Sequence, residues 1–150
     1  MLKEHVLGFR SLSIIGMCKN AGKTTVLNRI IRELRDEPLT LALTSIGRDG
    51  EAVDVVTGTA KPGIYVYEGT LVATARDMLR FCDVTREIVA ATPYSTPLGD
   101  VVIFRARSDG GVQLAGPSMT AQLIELSNAF ETLGADMVVI DGALSRKSLC

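Results

Sequence analysis

The stretch Ser13-Ile14-Ile15-Gly16-Met17-Cys18-Lys19-Asn20-Ala21-Gly22-Lys23-Thr24-Thr25 limits what this chain can become more than any other. Leu12 to Ile15 is a short apolar run of the kind that forms a buried strand. It breaks at Gly16 into a small polar loop, and a helix begins near Gly22. Strand, loop, Gly-Lys-Thr and helix, in that order, form a phosphate-cradling arrangement. Successive backbone N–H groups and the positive end of the helix dipole converge on one concavity. In such a loop the Lys23 ammonium reaches the β- and γ-phosphates, and the Thr24 hydroxyl takes a position on Mg²⁺. Gly16, Lys19, Asn20, Ala21, Gly22, Lys23, Thr24 and Thr25 are therefore the expected nucleotide-binding residues, with Lys23 also catalytic. The usual spacing wants its first glycine at Met17; Gly16 stands one place early. The bland alternative is a glycine-bearing strand-to-helix turn carrying a surface lysine.

The helix after this loop is expected from about Lys23 to Arg35, since Val26, Leu27, Ile30, Ile31 and Leu34 recur at the spacing of one buried face. Pro38 stops it. Leu39 to Thr44 then reads as a central strand, and strand–helix–strand implies a right-handed parallel crossover. At the end of that strand the chain turns polar: Thr44-Ser45-Ile46-Gly47-Arg48-Asp49-Gly50-Glu51, then Asp54. Ligands of open α/β sheets sit at the carboxyl ends of strands. Asp49 and Asp54 are accordingly candidates to hold the attacking water, and an ordinary acidic turn around Gly47 and Gly50 is the alternative.

Further along, Ile64 to Tyr67 reads as a short strand and Thr70 as the N-cap of a helix reaching Arg80. Val84 to Ala90 and Val101 to Arg107 read as strands, separated by an exposed loop over 91–100. Ser108-Asp109-Gly110-Gly111 signals a hairpin into Val112 to Ala115, because such residues tolerate the positive φ of tight turns. Pro117-Ser118 opens a helix whose stripe is Met119, Leu123, Leu126, Phe130 and Leu133, with Gly134 as its stop. Met137-Val138-Val139-Ile140-Asp141 is an apolar strand ending in an acid, the form of an element that binds Mg²⁺ together with Thr24. A buried strand ending in any polar turn has the same pattern. The fold class that follows is α/β: an open, mainly parallel sheet flanked by helices, with an antiparallel hairpin at its edge.

At 150 residues the chain fits one domain, 1–150, with room for a real core. A hydrophobic fraction of 47% marks a compact chain, and a net charge of −1 gives no general attraction to nucleic acid or anionic membrane. No apolar run approaches the ~20 residues that span a bilayer, and Lys3-Glu4-His5 interrupts any signal peptide, so a cytoplasmic location is expected. Cys18, Cys82 and Cys150 are odd in number and widely spaced, as reduced thiols are.

Two resemblances can be named on these residues. Lys19-Asn20-Ala21-Gly22-Lys23-Thr24-Thr25 resembles the loop of the GTP-binding adaptor of molybdopterin guanine dinucleotide synthesis, a phosphate-loop (P-loop) NTPase. A longer set is Gly16 to Thr25, Thr44 to Glu51, and Asp141-Gly142-Ala143-Leu144-Ser145-Arg146-Lys147. It is similar to the nucleotide-binding subunit of the reactivating factor for adenosylcobalamin-dependent lysine 5,6-aminomutase. That resemblance implies an ATP- and Mg²⁺-dependent, chaperone-like reactivase. Its partners would be a second reactivase subunit and the aminomutase; a homo-oligomer is a separate expectation. It also implies the front portion of a longer subunit, since phosphate-loop folds continue past the strand that ends at Asp141. No Asn-Lys-x-Asp guanine-reading element is present, which favours ATP over GTP. A nucleotide-dependent adaptor with little turnover and a small-molecule kinase are the rival readings.

Overall fold

A computed structural model of the chain describes residues 11–14, 23–46 and 64–142. Among the described residues, eight strands, two α-helices and one 3₁₀ helix follow in the order β1 (Ser11–Ile14), α1 (Lys23–Leu34), β2 (Leu41–Ser45), β3 (Ile64–Val66), β4 (Leu71–Ala75), the 3₁₀ helix (Arg76–Phe81), β5 (Arg86–Thr96), β6 (Gly99–Ala106), β7 (Gly110–Val112), α2 (Thr120–Thr132) and β8 (Met137–Asp141). Six strands form a mixed sheet in the order β1-β8-β2-β4-β6-β5, and β3 pairs with β7 as a separate two-stranded ribbon. β1, β8, β2 and β4 are mutually parallel; β6 runs antiparallel to both β4 and β5, and with β5 closes the far edge as a hairpin.

The sheet is covered on both faces, and the alternation of side chains says by what. Leu41 and Leu43 of β2, Met137 and Val139 of β8, and Val72 of β4 join Leu27, Ile30, Ile31 and Leu34 of α1 in one apolar cluster. Ala42, Val138, Leu71 and Ala73 point the other way and cluster with Leu126 and Phe130 of α2. Neighbours along one strand thus serve opposite layers, as the two-residue period of a strand requires. The β3–β7 ribbon extends the α1 layer, placing Ile64, Val66 and Val112 over Phe104 and Ala106 of β6. It is fastened to α1 by the Tyr65 N–H, which donates to Asn28 Oδ1 at 2.8 Å, and just past the ends of both elements the Arg35 guanidinium lies 4.7 Å from the Tyr67 ring centroid.

The two helices and the strands β2 and β8 lie where the periodicity predicts. Four readings change. Residues 71–75 are a strand, not the first half of a helix: β4 is inserted between β2 and β6 and buried at every position. A strand covered on both faces shows no alternation, so Leu71, Val72 and Ala75 match helical spacing equally well. The expected 91–100 loop is mostly the end of β5; Pro93 is tolerated because an edge strand need not donate to a neighbour. The hairpin turn accordingly falls at Pro97-Leu98 rather than at Ser108–Gly111.

Gly110 and Gly111 pair with β3 and serve close approach instead. A Cβ on Gly110 would stand 3.0 Å from Val84 Cγ1, and the Asp83 N–H donates to the Gly111 carbonyl at 2.8 Å. Lastly, the α-helical stripes are narrower than expected. Val26 is 42% exposed and Met119 58% exposed, the latter because it precedes α2 as its N-cap residue.

Candidate functional site at the carboxyl ends of the parallel strands

β8 lies between β1 and β2, so three carboxyl ends stand abreast. Asp141, the last residue of β8, is in register with Ile14, the last of β1, and with Ser45, the last of β2. β1 is the strand that feeds the Gly-Lys-Thr segment, and Lys23, Thr24 and Thr25 are the first three residues of α1. Asp141 also shares its strand parity with Met137 and Val139, which pack against α1. Its carboxylate therefore belongs to the α1 side of the sheet, half-buried at the strand end. The two elements singled out in the sequence, 119 residues apart from Gly22 to Asp141 in numbering, converge on one end and one face of the sheet.

The neighbouring end of β2 is held by polar side chains that sequence reasoning assigned to a ligand-facing segment. The Thr44 hydroxyl, fully buried, donates to the Ala73 carbonyl at 3.0 Å. Ser45 Oγ accepts from the Gly116 N–H at 3.0 Å. Thr74, also buried, donates to the Gln113 carbonyl and accepts from the Ala115 N–H at 2.8 Å, while the Ala75 N–H donates to the Ala115 carbonyl. Residues 113–116 thus form a strap across the ends of β2 and β4, and these hydroxyls satisfy its backbone. Gly116 is buried, and a Cβ there would collide with the Ser45 carbonyl oxygen and stand 2.6 Å from Thr44 Oγ1. Only a glycine lets the strap lie so close.

On the other flank, the Ile46 N–H donates to the Asp141 carbonyl at 2.9 Å, extending the β2–β8 pairing one residue past β2. Gly142 follows with φ +153, and a Cβ on it would stand 2.9 Å from Ile46 Cβ and 3.2 Å from Ile46 N. The exit of β8 is thus pressed against the exit of β2 immediately beside Asp141. Sequence reasoning quoted Asp141-Gly142 as a motif but did not see this contact. A glycine directly after the last strand residue was the available signal.

Gly16, Lys19, Asn20, Ala21 and Gly22 of the loop, Asp49 and Asp54 with the acidic segment around them, Cys18, Cys150 and the tail after Gly142 lie outside the described residues. Among the described residues there is no group of three or more His, Cys, Asp or Glu that could hold a metal ion, and no helix long and apolar enough to cross a membrane. Cys82, the free cysteine among them, is buried at the C-terminal end of the 3₁₀ helix, and burial pushes its thiol pKa up, away from reactive thiolate. Comparison of the chain with protein-family models, with curated proteins and with solved structures gave no match.

Proposed function

We propose that this chain is a P-loop nucleotide-binding domain that takes a Mg²⁺-chelated nucleoside triphosphate, ATP in preference to GTP. One observation carries the reading. The strand leading into Gly22-Lys23-Thr24 and the strand ending in Asp141 are adjacent, parallel and level at their carboxyl ends, with Asp141 on the α1 side. Phosphate cradles of this kind sit at the start of the helix that follows the strand, where backbone N–H groups and the helix dipole favour an anion.

In this reading the backbone from Lys19 to Thr24 encloses the phosphates, Lys23 neutralises charge between the β- and γ-phosphates, and Thr24 and Asp141 hold the metal. Both are hard oxygen donors, the kind Mg²⁺ prefers, and Mg²⁺ takes few ligands from the protein and the rest from phosphate and water. When bound, the ion screens the charge that develops on the transferring phosphoryl group. Hydrolysis then needs a water oriented by Asp49 or Asp54. Its oxygen bonds to the γ-phosphorus, the bond to the β–γ bridging oxygen breaks, nucleoside diphosphate leaves, and the water proton passes to solvent or the carboxylate.

The narrower role, an ATPase subunit that reactivates a cobalamin-dependent aminomutase, rests on the sequence resemblance. Equilibrium binding of fluorescent ATP and GTP to the full chain in Mg²⁺ tests the site. Removing the Lys23 charge by Lys23→Ala forfeits a charge-assisted bond worth about 1.5–3 kcal/mol, so affinity falls roughly 10- to 100-fold. Unchanged affinity in that variant defeats the proposal. Phosphate release measured alone, with an aminomutase, and with small-molecule acceptors then separates reactivase, low-turnover adaptor and kinase.

A further inference from the structure

We infer that Gly142 and Ile46 are positioning residues for Asp141, clamping its carboxylate at the level of the β1 end so that it meets the metal carried by the nucleotide. This rests on the nucleotide reading above and adds a specific device to it. A carboxylate at a strand terminus is ordinarily free to swing, because pairing stops there and the backbone beyond it is unconstrained. Here two contacts remove that freedom. The Ile46 N–H holds the Asp141 carbonyl at 2.9 Å, so the peptide carrying Asp141 remains in the ladder although β2 has ended at Ser45. The next residue turns out of the sheet at φ +153, a conformation that favours glycine, with its Cα seated against Ile46.

The contact is one-sided in what it permits. A methyl group on Gly142 meets Ile46 Cβ at 2.9 Å, Ile46 N at 3.2 Å and Cγ1 at 3.3 Å, so it must push the β8 exit away from β2. Ile46 N is the atom that donates to Asp141. The same displacement therefore loosens the hydrogen bond that fixes Asp141, while β1, the start of α1 and the register of residues 137–140 with β2 are left as they are. Groups that orient a metal ligand, without touching the metal, typically change metal affinity about 10- to 100-fold. In the reading above the phosphates are held by loop amides and Lys23 rather than by Asp141, so their share of the affinity is separable from the metal's.

The test measures nucleotide affinity of the full chain twice, in Mg²⁺ and in excess chelator, for wild type, Gly142→Ala and Ile46→Gly. The ratio of the two affinities reports the metal-dependent part. Gly142→Ala is expected to cut that ratio about tenfold or more with chelator affinity unchanged. Ile46→Gly, which removes the Cβ that Gly142 sits against and adds no clash, is expected to cut it several-fold. An undiminished ratio in Ile46→Gly overturns the inference. So does an equal loss with and without Mg²⁺ in both variants, which marks a merely structural contact. A wild type that binds nucleotide with no Mg²⁺-dependent gain also overturns it, yet leaves phosphate binding intact. A wild type that binds no nucleotide at all overturns the proposed function and this inference together.

Discussion

The Gly116 N–H donates to the Ser45 hydroxyl at 3.0 Å, both groups buried, across 71 residues of sequence. This bond docks the strap over residues 113–116 onto the end of β2, where Ser45 is in register with Asp141. Two variants probe it by different physics. In Gly116→Ala the added methyl meets backbone, which cannot swing aside as a side chain can, so destabilisation of about 3 kcal/mol or more is expected. In Ser45→Ala nothing collides, but a buried N–H loses its acceptor, at a cost of about 1–3 kcal/mol. Denaturant titration at constant m-value measures both. Equal, negligible effects are incompatible with a close-packed strap.

Gly134 makes the opposite case. It lies in open space, with nothing within 4 Å of a built Cβ, but its φ is +104. It occupies the residue after the α2 C-cap, where the Gly134 N–H donates to the Glu131 carbonyl at 3.0 Å and the Ala135 N–H to the Phe130 carbonyl at 2.9 Å. These are the two bonds of a Schellman motif, and Ala135 and Phe130 meet in the same apolar cluster, as that motif favours. Gly134→Ala should therefore cost about 1–2 kcal/mol through backbone strain alone. Gly134→Asn, which tolerates the left-handed region, should recover part of it. Thermal unfolding of the two variants side by side checks the order.

Alkaline pH should weaken the fold in two steps. Burial pushes the Cys82 thiol above its ordinary 9.0, and burial together with the bond to Glu125 pushes the Tyr94 phenol above its ordinary 10.0. Tyr94 donates to Glu125 Oε1 at 2.9 Å, tying β5 to α2. In both groups the folded state keeps its proton longer than the unfolded chain. Their stabilising effect is complete below the unfolded pKa and drains away as pH rises through it toward the folded value. Stability should be flat to about pH 8.5 and fall beyond it. Tyr94→Phe should remove the later part of the decline and cost about 1 kcal/mol at neutral pH for the lost bond. Cys82→Ala should remove the earlier part. A decline identical in all three proteins would assign it elsewhere.

What could be read from residues alone divides along physical lines. α1 and α2 were legible because each buries one stripe, Leu27-Ile30-Ile31-Leu34 and Leu123-Leu126-Phe130, and a stripe has a period. β8 was legible because an apolar run ended abruptly at Asp141. β4 was not, since Leu71 to Ala75 is covered on both faces and carries no period at all. The β5–β6 edge was hidden by composition. Thr92, Pro93, Ser95 and Thr96 look like a loop, and only the sheet's edge makes them acceptable as strand. At the site, the convergence of the β1–α1 junction with Asp141 follows from chain order and polarity, which a sequence displays. The structural use of Thr44, Ser45 and Thr74 depends on which carbonyl or N–H lies opposite, which it does not display.

Asp141 itself offers the sharpest separation between a structural acid and a ligand. Its backbone is already anchored through the Ile46 N–H, so Asp141→Asn keeps the strand, the register and nearly the shape of the side chain while removing one negative charge. A carboxylate that serves packing alone would be replaced with an effect on stability of a fraction of a kcal/mol to either side. One that holds Mg²⁺ leaves the apo stability similar but weakens Mg²⁺·ATP binding. The unfolding temperature reports this directly. A ligand at one hundred times its Kd stabilises a fold by about 2.7 kcal/mol, which is several degrees for a domain of this size. At the same Mg²⁺·ATP concentration the variant should lose most of that rise, and a second titration with Mn²⁺ should restore little of it, because the amide lacks the charge either ion requires. Were Asp141→Asn to keep the full nucleotide-induced rise, the metal would have to be held elsewhere, and the level ends of β1 and β8 would mean no more than good sheet geometry.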